Sequence, residues 1–291
     1  MKNGLMFSII TAALFITLEP VSKLIADMVN PYAITFLRFF IAALVFAPFS
    51  IAKIIKDKIR ITAKDIGICA MLGIIFICIS MVLLQIGVKK ADSPALISII
   101  FSSNSMFTVL FTALILKEKI TKRKLLAVIL CAIGVVICAD FSSGSNLESV
   151  LLGLTAAVVF SIYTVLCKKY MTNLGGIVQA GISFLIGSVV LFVVLLVSGT
   201  ETFSAVSRSN ILHLLYLGIA VTGIGYLCYF KAIEKGGTIM ASLAFFIKPV
   251  ITPFATFFIN GIQPEGKIFA AIVFVVVGSY LAVSKAKVKN K

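Results

Sequence analysis

The chain has 291 residues, 60% of them hydrophobic and 13% charged, with a mean hydropathy of +1.15. A soluble domain carries about 25% charged residues, so a soluble fold is excluded. The net charge of +15 and pI near 9.7 do not indicate nucleic-acid binding, because the basic residues alternate between connectors instead of gathering on one face.

In chain order, apolar runs cover 4–26, 32–52, 66–88, 93–116, 124–140, 149–168, 177–198, 210–231, 238–260 and 268–285. Each approaches the roughly 20 residues that an α-helix needs to cross a bilayer. A backbone in lipid must satisfy its own hydrogen bonds, and the alternating pattern of a barrel strand is missing, so helix is the expected state. The predicted fold class is an all-α membrane protein with ten transmembrane helices. The first run is longer than the apolar segment of a signal peptide and is not followed by a small-residue cleavage site, so it is read as a retained span. All six cysteines fall inside apolar runs without a CxxC pair, as expected of thiols packed as small hydrophobes.

Lys and Arg are retained on the cytoplasmic side of short loops. With the N-terminus inside, 19 of the 26 basic residues fall in cytoplasmic segments, four (Lys89, Lys90, Arg208, Lys267) outside, and three (Lys23, Arg38, Lys248) within spans. Both termini are therefore predicted to be cytoplasmic, in a multi-pass protein of the cell membrane.

The chain also repeats itself. Leu72-Gly73-Ile74 matches Leu217-Gly218-Ile219 at an offset of 145, Ile34 to Leu37 matches Ile182 to Leu185 at 148, and Gly4-Leu5 matches Gly153-Leu154 at 149. This predicts two related units, 1–144 and 145–291. Five spans in each force the halves into opposite orientations, and inverted repeats are an arrangement through which transporters alternate access to a midplane site.

With these features the sequence resembles the EamA family of the drug/metabolite transporter superfamily. In the first half the resemblance rests on Asn30-Pro31-Tyr32 leading to Phe36-Leu37-Arg38, and on Leu116-Lys117-Glu118 followed by the Gly134-containing span. In the second it rests on Ala241-Ser242-Leu243, Lys248-Pro249-Val250 and the last span with Gly278. It covers nearly the whole chain. Two departures stand out: Thr17-Leu18-Glu19-Pro20 replaces the family's frequent Trp-Gly, and Asn260-Gly261 stands where the repeat matches Glu118. The resemblance implies export or exchange of amino acids, metabolites or drugs through a cavity between the halves.

Charges inside spans cost roughly 2.5–3.5 kcal/mol each and mark candidate sites. Glu19 and Lys23 are four residues apart and can pair, with Pro20 between them as a kink, and pairing of Glu19 with Lys248 is the alternative. Arg38 is expected near the external surface, reaching water by snorkelling, in a structural or gating role. Lys248, deep in the ninth span beside Pro249, is the leading candidate for substrate binding. Asn104, in the run Ser102-Ser103-Asn104, is its expected partner from the first half, and Thr222, Tyr226 and Tyr229 add polar and aromatic surface. Glu19, Arg38, Pro20 and Pro249 are the candidates for coupling or gating, with protons as the candidate coupling ion. No cofactor and no metal are expected.

The predicted function is a secondary transporter of a small metabolite, favouring an amino acid or organic acid, that works as an exporter or exchanger. A cationic-drug exporter is the alternative within the class. A passive channel or an intramembrane enzyme fits less well, since neither rings of repeated polar groups nor a deep carboxylate with a paired base is found.

Overall fold

The fold is that of a computed structural model, which describes residues 2–138, 147–170 and 174–283. The predicted boundary between the halves and most of the basic C-terminal tail lie outside the described residues. Those residues are overwhelmingly helical and include eight helices long and apolar enough to cross a membrane. In chain order these are α1 Gly4–Ile25, α2 Pro31–Asp57, α3 Ala63–Lys90, α4 Pro94–Leu116, α6 Leu147–Lys169, α7 Gly175–Val197, α8 Ile211–Gly236 and α9 Leu243–Asn260. Two shorter helices, α5 Lys122–Cys138 and α10 Gly266–Val283, stand where the fifth and tenth spans were predicted. The chain is a multi-pass membrane protein.

Local chemistry sets the helix ends. Asn30 accepts a bond from the Tyr32 amide with Pro31 in the first turn, and Thr62 and Asp65 form a reciprocal capping box at the start of α3. At the far ends of α4 and α9, Lys117 (φ 56°) and Gly261 (φ 71°) take the left-handed conformation, and the two positions are 144 residues apart. Helix α1 is interrupted at Thr17, because Pro20 has no N–H to return to the carbonyl of residue 16.

Helical conformation runs without interruption from Gly225 to Asn260, yet the ring centroids of Tyr229 and Phe245 lie 5.5 Å apart. Sixteen residues of straight helix would separate them by about 24 Å. The axis therefore turns back between them, and α8 and α9 run antiparallel.

The two halves echo each other. Wide π-helical turns occupy Ile74–Met81 in α3 and Tyr216–Ile224 in α8, overlapping at the offset of 145. A Cβ at Gly134 of α5 would lie 3.0 Å from the Ala271 carbonyl and 2.7 Å from Val275 of α10. Reciprocally, a Cβ at Gly278 would lie 2.9 Å from the Ala127 carbonyl and 2.6 Å from Cys131. Rising numbers on α5 meet falling numbers on α10, so these equivalent helices are antiparallel. The same holds for α2 and α7, where Phe36 stacks on Phe192, Phe46 packs at a tilt against Phe184, and Ser50 donates to the Ile177 carbonyl.

Candidate functional site

Glu19 on α1, Arg38 on α2 and Lys248 on α9 are all withdrawn from solvent, at 0%, 2% and 2% exposure. Lys248 Nζ donates to Glu19 Oε1 at 2.5 Å and stands 5.7 Å from the Phe101 ring centroid. The second carboxylate oxygen of Glu19, Oε2, has no hydrogen-bond partner. The Arg38 guanidinium lies 4.8 Å over the Phe39 ring and donates to Met81 Sδ at 3.5 Å, while its Nε is unpartnered. A buried charge is costly unless paired, so the cluster holds one neutralised pair and one guanidinium without a carboxylate.

Two spaces meet here. The smaller, about 10 Å³, has room for a single water and is lined by Arg38, Met81, Thr222 and Lys248. The larger, about 400 Å³, is walled by Phe160, Tyr163, Tyr229 and Phe230 and reaches Lys168, Gly175 and Ile233. Tyr226 and Phe245 line both and form the partition between them. Phe15 braces that partition, with ring centroids 4.9 Å from Tyr226 and 5.8 Å from Phe245. At the opposite end of the bundle, the Thr17 and Tyr216 hydroxyls are 2.9 Å apart.

Several expectations are corrected. Lys23 does not pair with Glu19: its ammonium donates to the carbonyls of Lys89 and Ala91, at 2.8 and 2.7 Å, where the end of α3 presents unsatisfied oxygens. Arg38 does not snorkel, because Phe39 and Met81 cover it. Asn104 lines neither space. Its amide donates to the Phe101 carbonyl at 2.8 Å, Ser102 donates to the Ser98 carbonyl and Ser103 to that of Ile100, so all three serve the backbone around the break in α4 at Ser103. From α4 it is Phe101 and Ser98 that reach α9, Ser98 bonding Thr252 at 3.2 Å.

Thr222 and Tyr226 line the small space, Tyr226 and Tyr229 the large one. Pro249 leaves the α9 ladder without one amide, and Thr252 bonds the Lys248 carbonyl beside it at 2.7 Å. The Pro20 carbonyl is occupied by Asn260 Nδ2 at 3.1 Å. Sequence reasoning missed Phe15, Phe160, Tyr163 and Phe245. Nothing distinguishes a phenylalanine facing a cavity from the many that face lipid.

Comparison with known proteins places this geometry in context. The model of the EamA-like transporter family matches residues 2–139 and again 147–284. An uncharacterized transporter of Clostridium kluyveri is 35% identical over 301 residues, covering 100% of this chain and 96% of the relative. The uncharacterized transporter YyaM of Bacillus subtilis is 27% identical, covering 86% and 83%, and Protein PagO of Salmonella typhimurium 25% identical, covering 72% and 69%. A crystal structure of a protein 19% identical in sequence superposes with a TM-score of 0.67, covering 97% of both chains, and shares the fold. The chain belongs to the EamA-like transporter family, within the drug/metabolite transporter superfamily.

Proposed function

We propose that the protein is a secondary transporter of the cell membrane. It carries a small metabolite bearing a carboxylate, an amino acid or organic acid, as an exporter or exchanger. Its spans number ten, in two inverted halves, 1–144 and 145–291, with both termini in the cytoplasm. The antiparallel course of the equivalent pairs α5/α10 and α2/α7 supports the inversion. The observation that carries the reading is the buried charge cluster, which gathers Glu19 and Arg38 of one half and Lys248 of the other beside a small space that Tyr226 and Phe245 divide from a 400 Å³ cavity.

The cavity reaches Lys168 and Gly175, at the end of the bundle that the basic bias assigns to the cytoplasm. The opposite end is tied by the Thr17–Tyr216 contact and by Lys23. This is the shape of an inward-facing carrier. The cluster's excess of one positive charge favours an anionic group in the solute over a purely cationic drug, because an isolated charge in low dielectric demands a counter-ion. Glu19, the deep carboxylate, is the candidate proton carrier.

Proteoliposomes loaded with unlabelled amino or organic acids and supplied with labelled solute outside test the reading. A carrier shows uptake accelerated by solute on the opposite side. Flux indifferent to that solute would mark a pore and end the proposal.

A further inference from the structure

We infer that Arg38, not Lys248, is the residue that grips the carboxylate of the transported solute. The inference rests on the preceding reading that the solute carries one. Lys248 is already neutralised, its ammonium 2.5 Å from the buried Glu19 carboxylate. Among the described residues no carboxylate forms a salt bridge with Arg38, which is 2% exposed. Its polar contact is the Met81 thioether at 3.5 Å, its charge rests against the Phe39 ring, and its Nε has no partner.

A lysine in that position can escape its predicament by losing its proton, but a guanidinium stays charged at all ordinary pH. It also presents a planar fork that matches both oxygens of a carboxylate. A permanently charged fork, buried without an acid in salt-bridge contact and bordering a small cavity, is built to receive an anion.

The surroundings set the rest of the ligand. The space beside Arg38 holds about one water, so both oxygens of a carboxylate head fit there only once its lining gives way. Immediately beyond Tyr226 and Phe245 lies the 400 Å³ cavity with its aromatic wall. A solute that satisfies both has a single carboxylate at one end and an apolar body. Tyr226 and Phe245 stand between the two parts and must move aside for the head to reach Arg38. Sugars, which lack the anion, and dianions, whose second charge would meet the aromatic wall, are poor fits.

Lacking tryptophan, the full-length protein in lipid nanodiscs is best followed by calorimetry, with 4-phenylbutyrate and its neutral amide as probes. The wild type is expected to bind the acid about tenfold or more tightly than the amide. Arg38→Gln should abolish that preference while leaving amide affinity within about threefold. The double variant Glu19→Gln/Lys248→Met, which removes the internal pair as a unit, should keep it. Arg38→Lys, the fallback if Arg38→Gln does not fold, retains charge without the fork and should show a reduced preference. A preference that survives in whichever Arg38 variants fold but vanishes in the double variant would assign the carboxylate to Lys248 and overturn the inference alone. A wild type that binds neither probe, or both equally, would overturn the carboxylate reading on which the inference rests.

Discussion

The ammonium of Lys248 and the carboxylate of Glu19 meet at 2.5 Å, each contributed by a different half of the chain. Removing one member leaves the other charged and buried, at a cost of about 3–5 kcal/mol, whereas removing both is close to neutral. Glu19→Gln and Lys248→Met are each expected to lower Tm sharply, and the double variant to recover most of the loss. Purely additive losses in a thermal double-mutant cycle would show that the two side chains do not depend on each other.

Glu19 has a second consequence if protons drive the carrier. Its Oε2 has no partner, so it can accept a proton without first breaking another hydrogen bond. Glu19→Gln should therefore abolish uphill accumulation in proteoliposomes with an imposed pH gradient while leaving solute exchange. Accumulation at the wild-type level would remove Glu19 from the coupling role.

Outside the spans, Glu118 bridges Lys168 at 2.6 Å and Lys124 at 3.3 Å, tying the connector after α4 to α5 and α6. The hydrogen bond from Lys168, foremost, and that from Lys124 hold its carboxyl below the ordinary value of 4.5. A depressed folded-state value means that the contribution is complete above 4.5 and fades as pH falls through the folded value. Glu118→Gln should thus be less stable than the wild type at neutral pH and converge with it as pH falls through that folded-state value. Since the pair is exposed, the difference should also shrink at high salt. A gap between the two proteins that is independent of pH would contradict this.

Lys117 adopts φ 56° at a position whose counterpart in the second half is Gly261, at φ 71°. A side chain in the left-handed region costs about 1 kcal/mol, which glycine avoids. Lys117→Gly is expected to stabilise the protein by about 0.5–1 kcal/mol, and Gly261→Lys to destabilise it by a similar amount. Both are readable as shifts in the midpoint of denaturant unfolding.

What the sequence disclosed follows from how strongly each feature is penalised. Apolar runs of bilayer length and charges within them are visible because water, or its absence, makes them expensive, and Glu19, Lys23, Arg38 and Lys248 were all recognisable on that ground. Their partners were only half decided. Periodicity states which residues share a face of one helix, so it offered Lys23 to Glu19, while the depth of Lys248 offered that lysine as its rival, and the choice between them depended on which helix lies opposite. Asn104 failed for a related reason: the break at Ser103 turned its amide back onto the Phe101 carbonyl, where counting residues from the repeat placed it against Lys248. The aromatic partition was illegible, as phenylalanine has the same hydropathy whether it meets lipid or lumen.

The paired contacts of α5 and α10 carry a consequence for energetics. Gly134 meets Ala271 and Val275 as Gly278 meets Ala127 and Cys131, so exchanging the roles of the two halves reproduces the same seam. A contact that matches itself so nearly is close to degenerate: it holds the halves together while doing little to favour either of the two exchanged arrangements that an alternating carrier would use. Any preference of the resting protein must originate at positions without a matching twin. Lys117 against Gly261, and the acid at Glu19 facing the base at Lys248, are two such asymmetries.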